Sequence, residues 1–100
     1  MMKFPNKLGL IIEADGNEKR QTVLKKLTNP KFMMPNTFTA AEVLQLLRQR
    51  LDLNKEDGLV LFANGRYLLK PSQKLEDVYT KYKDEDGFLY LTYSEEQVFG

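Results

Sequence analysis

Apolar positions along the chain fall into short runs bounded by Gly, Pro, Asn and Asp, and into stretches where they recur every three or four residues. Leu8, Leu10, Ile11 and Ile12 form a run rich in branched side chains between Pro5 and the Asp15-Gly16 pair, which predicts a buried strand over residues 8–13 ending in a turn. Residues 17–27 are strongly charged. Val23, Leu24 and Leu27 have helical spacing there, permitting a short surface helix or an ordered loop. Lys31, Phe32, Met33 and Met34 stand between Pro30 and Pro35. Because proline cannot donate to a ladder, this run is expected at the edge of a sheet.

Thr39 and Glu42 have capping-box spacing, so a helix starts at Ala40. Ala40, Val43, Leu44, Leu47 and Leu51 then recur on one face that can lie across a sheet, with Arg48 and Arg50 displaced from it. Residues 59–63 are a further strand. Asn64-Gly65 supplies the positive-φ pair of a tight turn into another strand over residues 66–68. Leu75, Val78, Tyr79 and Tyr82 predict a second short helix after Pro71-Ser72, running into the acidic turn Asp84-Glu85-Asp86-Gly87. The aromatic-rich residues 88–93 give the last strand. The order strand, strand, helix, strand, strand, short helix, strand is that of an α+β, ubiquitin-like β-grasp: a mixed sheet packed on one central helix. Other small α+β folds share the string, so order alone does not decide function.

Composition narrows the chemistry. One hundred residues with 42% apolar and 29% charged content make a single domain over residues 1–100. Residues 1–7 are expected to form an arm and residues 94–100 a flexible tail. No apolar run approaches the roughly 20 residues of a membrane span, and no secretory signal is present, so the chain reads as cytoplasmic. With neither cysteine nor histidine, the usual nucleophile–base pairs and zinc sites cannot be assembled. Asp84, Glu85, Asp86, Glu95 and Glu96 read as turn and surface residues, with nothing to fix a two-carboxylate separation. The expectation is a non-enzyme with no cofactor and no metal. A net charge of +1 offers no global field for nucleic acid.

The final residue carries the most pointed chemistry. Gly100 lacks a Cβ and can thread its carboxylate through a narrow enzyme tunnel; a terminal glycine is also read as a plain chain end. Three segments resemble one family in register: Phe4-Pro5-Asn6-Lys7; Lys31-Phe32-Met33-Met34-Pro35 with Arg48-Gln49-Arg50; and Lys83-Asp84-Glu85-Asp86-Gly87-Phe88-Leu89-Tyr90 continuing to Phe99-Gly100. The chain resembles the autophagy ubiquitin-like modifiers, of the microtubule-associated protein light chain three and GABA-receptor-associated protein type.

That resemblance implies conjugation through Gly100, preceded by Phe99, to phosphatidylethanolamine on autophagosomal membranes. Implied partners are an activating enzyme, conjugating enzymes, a processing and deconjugating cysteine protease, and receptor peptides of aromatic-x-x-aliphatic type; the protein itself is expected to be a monomer. By position, the pocket for the aromatic residue would use Ile11, Lys31, Met33 and Phe88. The aliphatic-side pocket would use Phe32, Met34, Pro35, Phe38, Val43, Leu46 and Leu47. Lys7, Lys31, Arg48 and Arg50 would form a basic rim. Met33, Met34, Val43 and Leu47 equally fit a core reading, and one side chain can serve both.

Three departures from the family pattern bear on this. Only Met1, Met2 and Lys3 precede the Phe4-Pro5-Asn6 segment, where typical members have two helices, and Gly9 stands where relatives usually carry proline. The stretch from Ala14 to Pro30 is also about four residues longer, judged by the spacing between Glu13 and Lys31. Rival readings are a sister modifier joined to a protein lysine, whose tail usually shows a tryptophan that this chain lacks, and a β-grasp module that is not conjugated.

Overall fold

The computed structural model describes residues 6–14, 29–53 and 58–95. Its elements run β1 (Lys7–Ala14), β2 (Lys31–Pro35), α1 (Ala40–Arg50), β3 (Leu59–Ala63), β4 (Tyr67–Leu68), α2 (Leu75–Tyr82) and β5 (Leu89–Glu95). The charged stretch over residues 17–27 lies outside the described residues.

The strands make one sheet in the order β2-β1-β5-β3-β4. β1 and β5 pair parallel at its centre, and every other pairing is antiparallel. Side chains alternate across the pleat, so one face receives Leu8, Leu10 and Ile12 from β1, Phe32 and Met34 from β2, Leu59 and Leu61 from β3, and Leu89, Leu91 and Tyr93 from β5. α1 lies on that face and closes the core with Ala40, Val43, Leu47 and Leu51. α2 adds Leu75 and Val78. This is the α+β β-grasp arrangement that the element order predicts.

Local chemistry sets the ends of α1. The Thr39 side chain accepts from the Glu42 N–H at 3.4 Å, and the Glu42 carboxylate accepts from the Thr39 N–H at 3.0 Å, forming the expected capping box. The next two amides, on Ala40 and Ala41, donate to the carbonyls of Gln73 and Pro71 at 2.9 Å each, tying the start of α1 to the approach of α2. At the far end Asp52 takes φ 57°, and the N–H groups of Asp52 and Leu53 donate back to Gln49 and Arg48 in a Schellman motif. Asn64 and Gly65 both have positive φ and turn β3 into β4 as expected.

Four boundaries differ from the sequence reading. Arg66 belongs to the turn, not to β4, since its N–H donates to Ala63 across the turn. Lys7 is in β1 opposite Pro35, not in an N-terminal arm. Phe88 lies outside β5, because its N–H donates to the Asp86 carboxylate at 2.8 Å and its carbonyl accepts from the Asp84 N–H at 2.8 Å. β5 then runs on to Glu95, with Ser94 opposite Val60 and Glu95 opposite Leu59, so these two residues are sheet and not tail.

Candidate functional site

β2 borders only β1, and its other edge carries no strand among the described residues. Hydrogen bonds just beyond the strand ends fix which groups face outward. Ile12 N–H donates to Pro30, and Asn36 N–H donates to Asn6, both at 2.9 Å. Bonded rungs alternate in an antiparallel ladder, so Leu10–Phe32 and Leu8–Met34 are the bonded pairs, and the backbone of Lys31, Met33 and Pro35 turns away from β1. Pro35 has no N–H, and its carbonyl accepts from Phe38 N–H at 3.1 Å. The Lys31 N–H is taken by the Asn29 side chain at 3.1 Å. What the edge offers is the N–H and C=O of Met33 and the C=O of Lys31, a short donor–acceptor set that an extended chain can join.

The side chains of the aromatic-side group converge. Met33 is 42% exposed on the face away from α1. Ile11 is half-buried beside Lys31 in the ladder, and the Lys31 Nζ stands 5.2 Å from the centre of the Phe88 ring. Ile11, Lys31, Met33 and Phe88 therefore share one outward surface.

Phe88 is held there by the acidic turn. Asp86 accepts from the Phe88 N–H through one carboxylate oxygen and from the Tyr90 hydroxyl, at 2.5 Å, through the other. The phenol bond, and secondarily the amide bond, hold the Asp86 carboxyl below its ordinary range; the same carboxylate pushes Tyr90 above its own. Gly87 takes φ 89°, and its carbonyl accepts from the Tyr79 hydroxyl at 2.5 Å. Asp86, Tyr79 and Tyr90 are positioning residues that the sequence reading passed over. The only available signal was Asx-turn spacing between Asp86 and Phe88.

The aliphatic-side group divides. Phe32, Met34, Val43 and Leu47 are buried in the core, the last two completely. Pro35, Phe38 and Leu46 are half-buried and open to the surface. Phe38 and Leu46 line a shallow depression of about 200 Å³ with Glu42, Gln45 and Gln49. Those three polar residues were also missed, since polar positions on the outer stripe of an amphipathic helix ordinarily read as solvated. Of the basic rim, Lys7 is exposed, Arg48 is half-buried, and the Arg50 guanidinium lies 5.7 Å from the Phe32 ring centre. Lys31 and Arg50 thus put a cation on each face of the β2 edge. Phe99 and Gly100 lie outside the described residues.

Comparison with known proteins agrees with this fold. The family model described as autophagy protein Atg8, ubiquitin like, matches residues 1–100. Human microtubule-associated protein 1 light chain 3 gamma is 36% identical over 98% of the chain, which spans 65% of that relative's length. Autophagy-related protein 8e of Arabidopsis thaliana is 33% identical over 98% of the chain and 76% of its own length. The crystal structure of Trypanosoma brucei ATG8 superposes with a TM-score of 0.84 at 37% identity, covering 97% of this chain and 79% of that one. The chain therefore belongs to the Atg8 family of ubiquitin-like autophagy proteins.

Proposed function

We propose that the protein is a membrane-conjugated modifier that captures linear peptides on β2. Gly100 is the group activated and passed, through thioesters on partner enzymes, to phosphatidylethanolamine on autophagosomal membranes; a cysteine protease processes and releases it. The chain supplies a reactive carboxylate and a docking surface, and its partners supply the catalysis, in keeping with a sequence that has neither histidine nor cysteine.

The observation that carries the docking half is the open β2 edge, with the Met33 N–H and C=O turned outward beside Lys31 and Phe88. An extended peptide pairs with these groups by β-augmentation, placing alternate side chains on either side of the edge. Its aromatic residue goes to Ile11, Lys31, Met33 and Phe88. Its aliphatic residue goes to the half-buried lips formed by Pro35, Phe38 and Leu46, over a floor of core side chains. Burying an aromatic side chain of roughly 200 Å² contributes at most about 5 kcal/mol before binding costs. Two anchors less those costs correspond to a Kd on the order of micromolar. Acidic residues flanking the peptide motif are drawn by Lys7, Lys31, Arg48 and Arg50.

The test has two readouts on one preparation: attachment to phosphatidylethanolamine liposomes in the presence of the activating and conjugating enzymes, and binding of an acidic aromatic-x-x-aliphatic peptide. Both are expected. Failure of lipid attachment would overturn the conjugation half, and failure of peptide binding the docking half.

A further inference from the structure

Gly9 sits in the middle of an outward-facing row formed by β2, β1 and the residue that precedes β5. It is directly opposite Met33 on β2, and the parallel pairing of Leu10 with Leu89 puts Phe88 beside it on the other flank. A Cβ placed on Gly9 would lie 2.9 Å from Phe88 Cε1, 3.0 Å from Phe88 Cδ1 and 3.7 Å from the Met33 sulfur. The first distance is shorter than real Cβ contacts, and the second is tighter than nine in ten of them. The Gly9 backbone does not take a positive φ, so any residue could adopt its conformation. What excludes a side chain here is the Phe88 ring, which lies on the glycine and covers it as an aromatic covers a strand glycine from a neighbouring strand.

The ring has little freedom to retreat along the backbone. The Phe88 N–H and C=O are both bonded within the acidic turn, to Asp86 and Asp84. A side chain at position 9 would therefore tip the ring outward, toward the Lys31 ammonium and the space between Lys31 and Met33. That space is where the aromatic side chain of a docked peptide enters.

We infer that Gly9 sets the depth of the aromatic-side pocket by letting Phe88 lie low on β1, so that the pocket takes the indole of a tryptophan in preference to a single ring. The inference rests on the peptide-docking reading of β2. The space conceded by one missing methyl group in an apolar pocket is worth about tenfold in affinity. A two-ring side chain needs that depth, and a one-ring side chain needs less of it.

The experiment compares two synthetic peptides, each with three aspartates followed by the anchor residue, two alanines and leucine, the anchor being tryptophan in one and phenylalanine in the other. Titrations use the full chain as wild type, Gly9→Ala, Phe88→Leu and the double variant, each checked for an unchanged unfolding midpoint. The wild type is expected to bind the tryptophan peptide more tightly. Gly9→Ala is expected to weaken it about tenfold while changing the phenylalanine peptide by less than about threefold. In the Phe88→Leu background, where a flexible side chain can give way, Gly9→Ala is expected to have little further effect. Equal weakening of both peptides by Gly9→Ala, no weakening of either, or the same effect with Leu at position 88 would overturn the inference and leave the docking edge standing. Binding of neither peptide by the wild type would overturn the docking edge and the inference with it.

Discussion

Asp86 and Tyr90, four residues apart, share a hydrogen bond of 2.5 Å from the phenol to the carboxylate, which also receives the Phe88 amide. Through this bond the acidic turn is tied to the first residues of β5, and the ring beside the β2 edge is held in place. The bond shifts both groups toward the state in which it exists: Asp86 is lowered and Tyr90 is raised. A lowered carboxyl contributes stability above its unfolded value, near 3.9, and loses it as pH falls through the folded value. A raised phenol contributes below its unfolded value, near 10, and loses it as pH rises through the folded one. The stability difference between wild type and Tyr90→Phe is therefore expected to be constant across neutral pH and to vanish toward both acid and alkaline extremes. Denaturant unfolding at a series of pH values measures it. A difference that persists once Asp86 is protonated would rule this coupling out.

Leu46 and Leu47 are neighbours in sequence that separate the two readings of the α1 stripe. Leu47 is fully buried, whereas Leu46 opens onto the surface depression. Leu47→Ala is expected to destabilise the fold by about 2–5 kcal/mol, the usual cost of a core leucine. Leu46→Ala is expected to cost under about 1 kcal/mol in stability and instead to weaken a peptide carrying an aliphatic anchor. Unfolding and titration of both variants check the division, and a peptide affinity indifferent to Leu46 would remove it from the site.

How much of this could be read from the residues depended on whether the signal was local. The capping box of Thr39 and Glu42, the Asn64-Gly65 turn and the edge placement of β2 between Pro30 and Pro35 are each set by a few adjacent residues, and all three stand in the structure. Phe88 looked like a strand residue because it opens an aromatic alternation; only the closing of the acidic turn on its amide and carbonyl withdraws it from β5. Ser94 and Glu95 looked like tail because they are polar, but Val60 and Leu59 across the ladder pair them. Val43 and Leu47 could not be assigned to pocket or core by spacing, since both uses require the same face of α1. The Gly9–Phe88 contact joins residues far apart in sequence and had no local trace beyond the glycine itself.

Backbone pairing at the β2 edge can be tested apart from side-chain packing. The Met33 N–H points outward, so Met33→Pro removes a donor that β1 does not use, whereas Phe32→Pro removes one that it does. Met33→Ala serves as the control for the lost side chain. Met33→Pro is expected to fold and to bind peptide about fivefold more weakly than Met33→Ala, the scale of one net hydrogen bond. Phe32→Pro is expected to unfold the domain, through loss of a ladder bond and of a core ring. Equal affinities for the proline and alanine variants would show that the peptide does not pair with this strand.

Lys31 and Arg50 stand on opposite faces of the same edge, each within 6 Å of a ring. Replacing either by alanine is expected to reduce the association rate of an acidic peptide more than it raises the dissociation rate. The reduction should shrink as salt is raised from about 0.05 M to 0.5 M, because the Debye length falls below the separation over which the charges act. Stopped-flow binding at several ionic strengths measures this. A salt-independent loss would mean that the two side chains act by packing on Phe88 and Phe32, not by steering.

The proposed function assigns conjugation and docking to different strands, with β1 lying between β2 and β5. Gly100 comes five residues after Glu95 in the sequence, a contour of at most about 18 Å. At Gly100→Ala the added methyl group meets the walls of any tunnel shaped for glycine, and the side chain restricts the backbone angles available to the last residue. Lipid attachment in the reconstituted reaction is expected to be lost. Peptide affinity is expected to match wild type within about twofold, since nothing at the β2 edge has changed. The double variant Lys31→Ala, Met33→Ala should behave in the opposite sense, accepting lipid and failing to hold peptide. Loss of both activities in either variant would mean that the tail and the edge act as one site, and the division between a reactive end and a separate docking strand would fail.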